Sequence, residues 1–286
     1  MATDEEVRSF GFLDLIKSVL DRTHYYRIMN SMYQRAFGSY HMLHFPYFVK
    51  EGENLLEAQQ NLTEACLSEL PSLKGKRVLE VGCGNGVQSI YIKEHHEPEF
   101  MMGLDLEPDN VDVANLQCNQ KNLSGIQFIQ SDAQDMVGVD SNSFDCVVNI
   151  ESGMHYPEKE KFFREVHRVL KPGGRYMIAD IVANAEKRNF ILRRWEKGLH
   201  QNYRTLDTYL DGLKDAGLTV DVVRDMTPPI IEGFTRSRTW YEYTIREGQR
   251  LTMFLLSRFA ELQVIRHKYY LRKHVTYYLL SGSKPA

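Results

Sequence analysis

Between residues 77 and 182 the chain alternates two hydrophobic periods, and this alternation restricts the possible folds more than any single residue does. Short apolar runs read as strands: "RVLEVGC" (77–83), "FMMGLDL" (100–106), "IQFIQ" (126–130), "FDCVVNI" (144–150) and "GRYMIADIV" (174–182). Near-continuous apolar character is what a strand needs when helices cover both faces of its sheet. Helical spacing fills the intervals. Val111, Ala114 and Cys118 share one face over 109–118, and Phe162, Phe163, Val166, Val169 and Leu170 recur at helical spacing over 158–170. "KPGG" (171–174) ends that second helix, because proline cannot continue it and glycine accepts the left-handed turn at a terminus. Such strand–helix alternation predicts a parallel sheet with right-handed crossovers.

Two further strands are expected at 218–226 and 275–282, with a helix at 205–216 before the first. The last strand is expected to be antiparallel, since it follows a long detour and not a compact crossover. That detour, 228–270, is aromatic and helical and reads as a lid. Residues 5–21 show an amphipathic helical pattern and 25–48 are rich in aromatics, which predicts a second cover. The expected division is an N-terminal helical cap (1–60), a core (61–227), a helical substrate lid (228–270) and a final core strand (271–286). A formal net charge of −3 argues against a nucleic-acid partner. The four cysteines are widely spaced with no CxxC pair, so no metal site or disulfide framework is expected. The acidic start "MATDEEVRS" and the lack of any apolar stretch near ~18 residues predict a soluble, cytoplasmic protein.

In the first strand–helix unit, "VLEVGCGNGVQSIYI" (78–92) puts Gly82, Gly84 and Gly86 at every second position. Ligands of parallel α/β sheets bind beyond the carboxyl ends of the strands. Bare backbone there permits close approach, and the following helix offers unpaired N–H groups. A dinucleotide fingerprint, GxGxxG, would need its third glycine at position 87, which is Val87. The observed spacing is GxGxG, preceded by Glu80, and argues against a nicotinamide cofactor.

With the segments that follow, this pattern resembles the class I S-adenosylmethionine-dependent methyltransferases. The likeness is to the small-molecule branch, with its sugar, polyketide and lipid O-methyltransferases and its sterol- and prenyl-type C-methyltransferases. It spans roughly residues 76–182 and extends more weakly to the C-terminus. It implies an α/β, Rossmann-like seven-stranded, mostly parallel sheet with helices on both faces, plus N-terminal and C-terminal helical lid segments. It also implies S-adenosyl-L-methionine as cofactor. "LEVGCGNG" then carries Glu80, Gly82, Gly84 and Gly86 around the methionine and ribose portion. "GLDLEPDNVDVAN" (103–115) implies Asp105 accepting from both ribose hydroxyls and Leu106 against adenine. "QSDAQDM" (130–136) implies Asp132 accepting from the adenine amino group, with the Ala133 backbone at the ring. "FDCVVNIESGMHYP" (144–157) implies Asn149 and Ile150 beside the methionine portion.

Methyl transfer is an in-line displacement, so the protein mainly orients the nucleophile, excludes water and removes a proton where the acceptor needs it. The resemblance implies His155 as the base, Asp180 orienting its imidazole, and Glu151 contacting the acceptor or supporting carbocation chemistry. Tyr156 and, from the aromatic strap "FGSYHMLHFPYF" (37–48), Tyr40 and His41 are the expected acceptor contacts. Over 236–274 nine lysines and arginines interleave with aromatics. That lid is open to three readings: an amphiphilic or anionic acceptor, peripheral contact with an anionic membrane, or a solvated basic face. The expected activity is methyl transfer to oxygen or carbon of a hydrophobic small-molecule acceptor, of natural-product, prenyl or lipid type. N-methylation of a small amine or phospho-base, and a catalytically silent cofactor-binding module, are the alternatives. A monomer or a homodimer would serve either.

Overall fold

In the computed structural model, which describes residues 22–185, 190–198, 200–236, 265, 268–271 and 273–286, two helices precede a seven-stranded sheet. These are α1 (Arg22–Phe37) and α2 (Leu55–Leu67). Then follow β1 (Arg77–Val81), α3 (Val87–His96), β2 (Phe100–Asp105), α4 (Pro108–Lys121), β3 (Ile126–Gln130) and β4 (Phe144–Ile150). After a single helical turn at Gly153–His155 come α5 (Lys159–Val169), β5 (Leu170–Ala183), α6 (Phe190–Gly198) and α7 (Leu206–Asp215). The chain continues through β6 (Val222–Asp225) and α8 (Thr227–Arg236) to β7 (Val275–Ser283). The expected helix over 5–21 and most of the basic aromatic lid beyond Arg236 lie outside the described residues.

Strand order across the sheet is β3-β2-β1-β4-β5-β7-β6. The first five strands pair in parallel, and β7 runs antiparallel between β5 and β6, as the long detour before it predicts. Period two explains why those runs are apolar throughout. Val78, Met101, Cys146, Val148, Met177 and Ala179 enter one buried cluster with Leu62, Ile92 and Tyr277. Their neighbours Leu79, Met102, Val147 and Ile178 enter another, with Phe162, Phe163, Val166 and Tyr209. Helices therefore bury both faces, and each large side chain removed from water contributes about 1.5–3 kcal/mol. All four cysteines are free and buried. Among the described residues, no helix is long and apolar enough to cross a membrane.

Two local devices matter for what lies above the sheet. Asn54 caps α2, accepting from the Glu57 amide while the Glu57 side chain accepts from the Asn54 amide, which satisfies donors a helix start otherwise leaves open. Gly86 opens α3 at φ +80. A Cβ there would sit 2.5 Å from Ala114 Cβ and 3.0 Å from Phe128 Cζ. The third glycine of the motif is thus a packing requirement between α3, α4 and β3.

Gly86→Ala combines a left-handed backbone with overpacking, so a loss of about 2–4 kcal/mol is expected. Urea unfolding of the variant against wild type measures it.

Candidate active site

β1 pairs with β2 on one side and β4 on the other, so the loops leaving β1 and β4 diverge, and a crevice opens at their carboxyl ends. A cavity of about 900 Å³ occupies it. One end is lined by Glu80, Gly82, Gly84, Asp105, Leu106, Asp132 and Ala133. The other carries Tyr26, Glu151, His155, Tyr156, Glu196, His200, Gln201 and Asn202. The two ends belong to one space.

At the first end, Asp105 closes β2. Its Oδ2 accepts from the Gly84 amide (2.9 Å), and its Oδ1 accepts from the Glu107 amide (2.9 Å) and Asn110 Nδ2 (3.2 Å). A carboxylate offers about four acceptor positions, so three are filled by the protein and one is left for a ligand. Burial pushes the Asp105 carboxyl above its ordinary value. Leu106 stands 44% exposed at the cavity, while Asp132 accepts from the Gln134 amide and side chain. Glu80 lies deeper, accepting from Gln88 Nε2 (2.8 Å) and from the Ser89 hydroxyl. Burial raises its carboxyl to about 8.

The strap between α1 and α2 roofs the cavity with Met42, Leu43 and His44. Gln59 on α2 grips it by donating to the carbonyls of Met42 (2.6 Å) and His44 (2.8 Å). Thr63 Oγ1 stands 3.3 Å from both His44 Nε2 and Gln88 Oε1, so the strap joins the polar network around Glu80. Burial lowers His44 to about 4, which keeps its ring neutral. Tyr40 and His41, the other expected acceptor contacts, are not among the residues that line the cavity. His41 is buried and stacked on Phe37 (4.4 Å) and Tyr33 (5.1 Å).

The chain leaving β4 turns sharply. Glu151 adopts φ +52, a left-handed conformation that costs a residue with a side chain on the order of 1–3 kcal/mol. The turn leaves its carboxyl buried at the cavity, where Oε1 accepts from the Phe45 amide (2.9 Å). Burial pushes that carboxyl up to about 8. Asn149 lies beneath the loop and donates to Val81 O (2.8 Å), Ser152 Oγ (2.9 Å) and Tyr156 Oη (3.1 Å). It braces the wall and does not line it. The Tyr156 hydroxyl also bonds to Ser152 Oγ. His155 Nε2 is 2.9 Å from the Tyr26 hydroxyl, which α1 brings across from the cap.

Asp180 does not reach the imidazole. Its Oδ1 accepts from the amides of Met154 (3.1 Å) and Ile181 (2.8 Å), and its Oδ2 from the Tyr209 hydroxyl (3.1 Å). The counter-charge is Lys159, a fully buried lysine. Lys159 Nζ donates to the carbonyls of Gly153 (2.6 Å), Tyr156 (3.3 Å) and Asn202 (2.7 Å). Asp180 therefore holds an amide of the His155 turn while Lys159 holds its carbonyls and ties it to the 200–202 wall. Sequence reading passed over Lys159 because, at the start of a charged helix, it looks like surface. Tyr26, Glu196 and Gln201 were missed for a similar reason, since each comes to the cavity from a separate segment and belongs to no motif, whereas Asn110 lies within the 103–115 segment and reads there as an ordinary helix-start residue.

Gly82 lines the cavity and also meets a packing demand. It has φ +72, and a Cβ on it would run into the Ser152 side chain and approach Tyr156 Oη to 3.0 Å. The missing side chain admits the β4 loop. Only Gly84 presents its bare side to the roof, where a Cβ would meet Leu43 Cδ1 at 3.0 Å.

The profile of the methyltransferase domain family matches residues 72–224. A fatty-acid O-methyltransferase of Mycolicibacterium smegmatis is 36% identical over 154 residues, 54% of this chain and 51% of that protein. The chain thus spans about half the length of that curated relative. Among solved structures, the Haemonchus contortus phosphoethanolamine N-methyltransferase 2 in complex with S-adenosyl-L-methionine superposes with a TM-score of 0.77 at 20% identity. That match covers 98% of this chain and 61% of the other. The geranyl diphosphate C-methyltransferase of Streptomyces coelicolor A3(2) gives 0.69 at 16% identity, covering 93% and 97%. At such identities the likeness to both structures is one of fold.

Two outcomes follow from the buried charges. Lys159→Met leaves Asp180 uncompensated and is expected to lose about 3–5 kcal/mol, whereas Lys159→Met with Asp180→Asn loses less than the sum of the single changes. Denaturant titrations of the four proteins form the cycle. Glu151 loses its proton at an ordinary value of 4.5 when unfolded but at about 8 when folded. The native state binds the extra proton between those values, so stability falls as pH rises through that window. Glu151→Gln removes this dependence. It should match wild type near pH 5 and exceed it near pH 9 by on the order of 2 kcal/mol, read from unfolding midpoints.

Proposed function

Because the chain belongs to the class I methyltransferase-domain family, we propose that it transfers the methyl group of S-adenosylmethionine to oxygen or carbon of a hydrophobic small-molecule acceptor. The observation that carries this reading is the joining of two unlike compartments in one cavity. Asp105, Leu106, Asp132 and Ala133 fit a purine nucleoside: an open carboxylate position for a ribose hydroxyl, an apolar side chain for the ring and a second carboxylate near its edge. Glu80, Gly82 and Ile150 line the stretch toward the β4 loop, where an amino-acid tail would lie. Bound there, S-adenosylmethionine supplies a methyl group already activated on a sulfonium sulfur.

The chain's own residues then orient the acceptor and handle its proton. His155 takes the proton of an acceptor hydroxyl, with Tyr26 fixing the ring through Nε2. Asp180 acts on the base at one remove, through the Met154 amide, as a support and not as a partner of the imidazole. Glu151 is mainly protonated at neutral pH, since burial raises it to about 8, so it can donate a hydrogen bond to the acceptor in a largely uncharged site. The strap and α8 exclude water from this end: Phe45 packs edge-on against Phe234 at 4.7 Å. The segments 1–60 and 228–270 serve in this reading as covers of the core. Phe190 is 78% exposed at the start of α6 with Arg193 and Arg194 exposed on the next turn, which supports collection of a lipid acceptor at an anionic membrane surface.

A second reading draws on Glu196, a buried carboxylate in the same wall as Glu151. Two carboxyl groups would suit a small amine, which needs no strong base. Calorimetric titration with S-adenosylmethionine, followed by mass-spectrometric methyl transfer to fatty acids, phenols, prenyl compounds and amines, separates these readings. Binding is expected in wild type and in His155→Ala. Turnover on a hydroxylated acceptor should fall about 100- to 10,000-fold in His155→Ala. Near-normal turnover in both His155→Ala and Glu151→Gln would remove the acid–base assignment and favour the amine. Binding without turnover on any acceptor would favour a silent module.

A further inference from the structure

A chain of three buried side-chain amides crosses the nucleoside end of the cavity. Asn85, in the glycine loop, donates Nδ2 to the His41 carbonyl (2.8 Å) and to Asn30 Oδ1 (2.8 Å). Asn30 donates Nδ2 to Asn110 Oδ1 (3.3 Å), and Asn110 donates Nδ2 to Asp105 Oδ1 (3.2 Å). Both ends of the chain are groups that only accept, a backbone carbonyl and a carboxylate, so the orientation of every amide is determined. Asn30 is 9% exposed, Asn85 2% and Asn110 6%. At such burial a half-satisfied amide is costly, so the bridge is either whole or broken.

Asn85 and Asn110 line the cavity from opposite elements, the glycine loop and the first turn of α4. Asn30 lies on α1 and spans them. Four residues earlier on the same helix, and so on the same face, is Tyr26, whose hydroxyl meets His155 Nε2. Arg27 adds an ion pair to Asp109. That pair is solvent-exposed and worth little by itself, which leaves the amide bridge as the directional fastening on this side of α1.

From this arrangement, and resting on the reading of the cavity as an S-adenosylmethionine site, we infer that Asn30 is a positioning residue: it fastens α1 across both walls of the nucleoside compartment, so that retention of the cofactor and presentation of Tyr26 to His155 are set together. The role requires an amide. Aspartate can accept from Asn85 but cannot donate to Asn110, and alanine can do neither. While the bridge stands, α1 roofs the nucleoside end, and the spent cofactor leaves on that side only after both bonds part.

The test uses S-adenosylhomocysteine as the probe, with stopped-flow dissociation and hydrogen exchange over residues 22–37 in the complex. Asn30→Ala is expected to release it about tenfold faster or more, the size of a lost buried hydrogen bond, and to lose exchange protection over α1. Asn30→Asp should fall between alanine and wild type in both readouts, and it carries the test if alanine at this position does not fold. Arg27→Ala, which removes only the exposed ion pair to Asp109 and keeps the bridge, should release the probe at the wild-type rate. Wild-type release from both Asn30 variants despite a loosened α1 overturns the inference, because Asn30 would then be a structural contact only. Retained protection of α1 in both variants overturns it as well. Failure of wild type to bind S-adenosylhomocysteine is a separate result, which removes the reading of the cavity and this inference with it.

Discussion

Everything in the cavity depends on how closely the chain leaving β1 can lie against the chain leaving β4. Gly82 has no side chain where Ser152 lies, and Asn149 reaches across to the Val81 carbonyl. That contact closes the bottom of the crevice. It also sets where the β4 loop must go, because Glu151 turns into a left-handed conformation immediately after the strand. A side chain at position 82 would push the loop out, and with it Glu151, His155 and Tyr156. The motif glycines thus act first on the protein and only then on a ligand.

The second constraint is the way the His155 turn is held. A one-turn helix of three residues has little stability of its own, and its polar backbone is taken up by buried ionic groups. Asp180 accepts from the Met154 amide, and Lys159 donates to the carbonyls of Gly153 and Tyr156. Buried charges are weak evidence for stability by themselves. Here the two groups direct the β4 loop, since each spends hydrogen bonds on its backbone. The same lysine bonds to Asn202 O, so the wall opposite is positioned by the same group.

The cover is built differently. It packs apolar groups on the core, Leu62, Cys66 and Leu67 of α2 with Tyr25, Phe45 and Tyr47 beside them, and around the cavity it adds polar contacts: Asn30 to Asn85 and Asn110, Tyr26 to His155 and Thr63 to Gln88. Such bonds each contribute about 1 kcal/mol net, so they add direction to a cover that the apolar contacts hold in place.

The alternation of periods over 77–182 determined the sheet, its parallel strands and the location of the crevice, because burial on both faces leaves a near-continuous apolar signature that few other folds share. GxGxG spacing, with Val87 where a dinucleotide site needs glycine, and the strand-end residues Asp105 and Asp132 made one end of the cavity legible, since each lies within a few residues of a strand terminus. The acceptor end was legible only in the β4 loop. Lys159, Tyr26, Asn30 and Glu196 carry no local pattern; they meet the site from helices whose docking is decided by packing between distant segments. Tertiary structure alone also separated Asp180 from His155 and turned His41 into an aromatic stack, because buried groups take whichever partner the fold brings nearest. Local sequence records what a strand end offers, and only the folded chain decides what is placed opposite it.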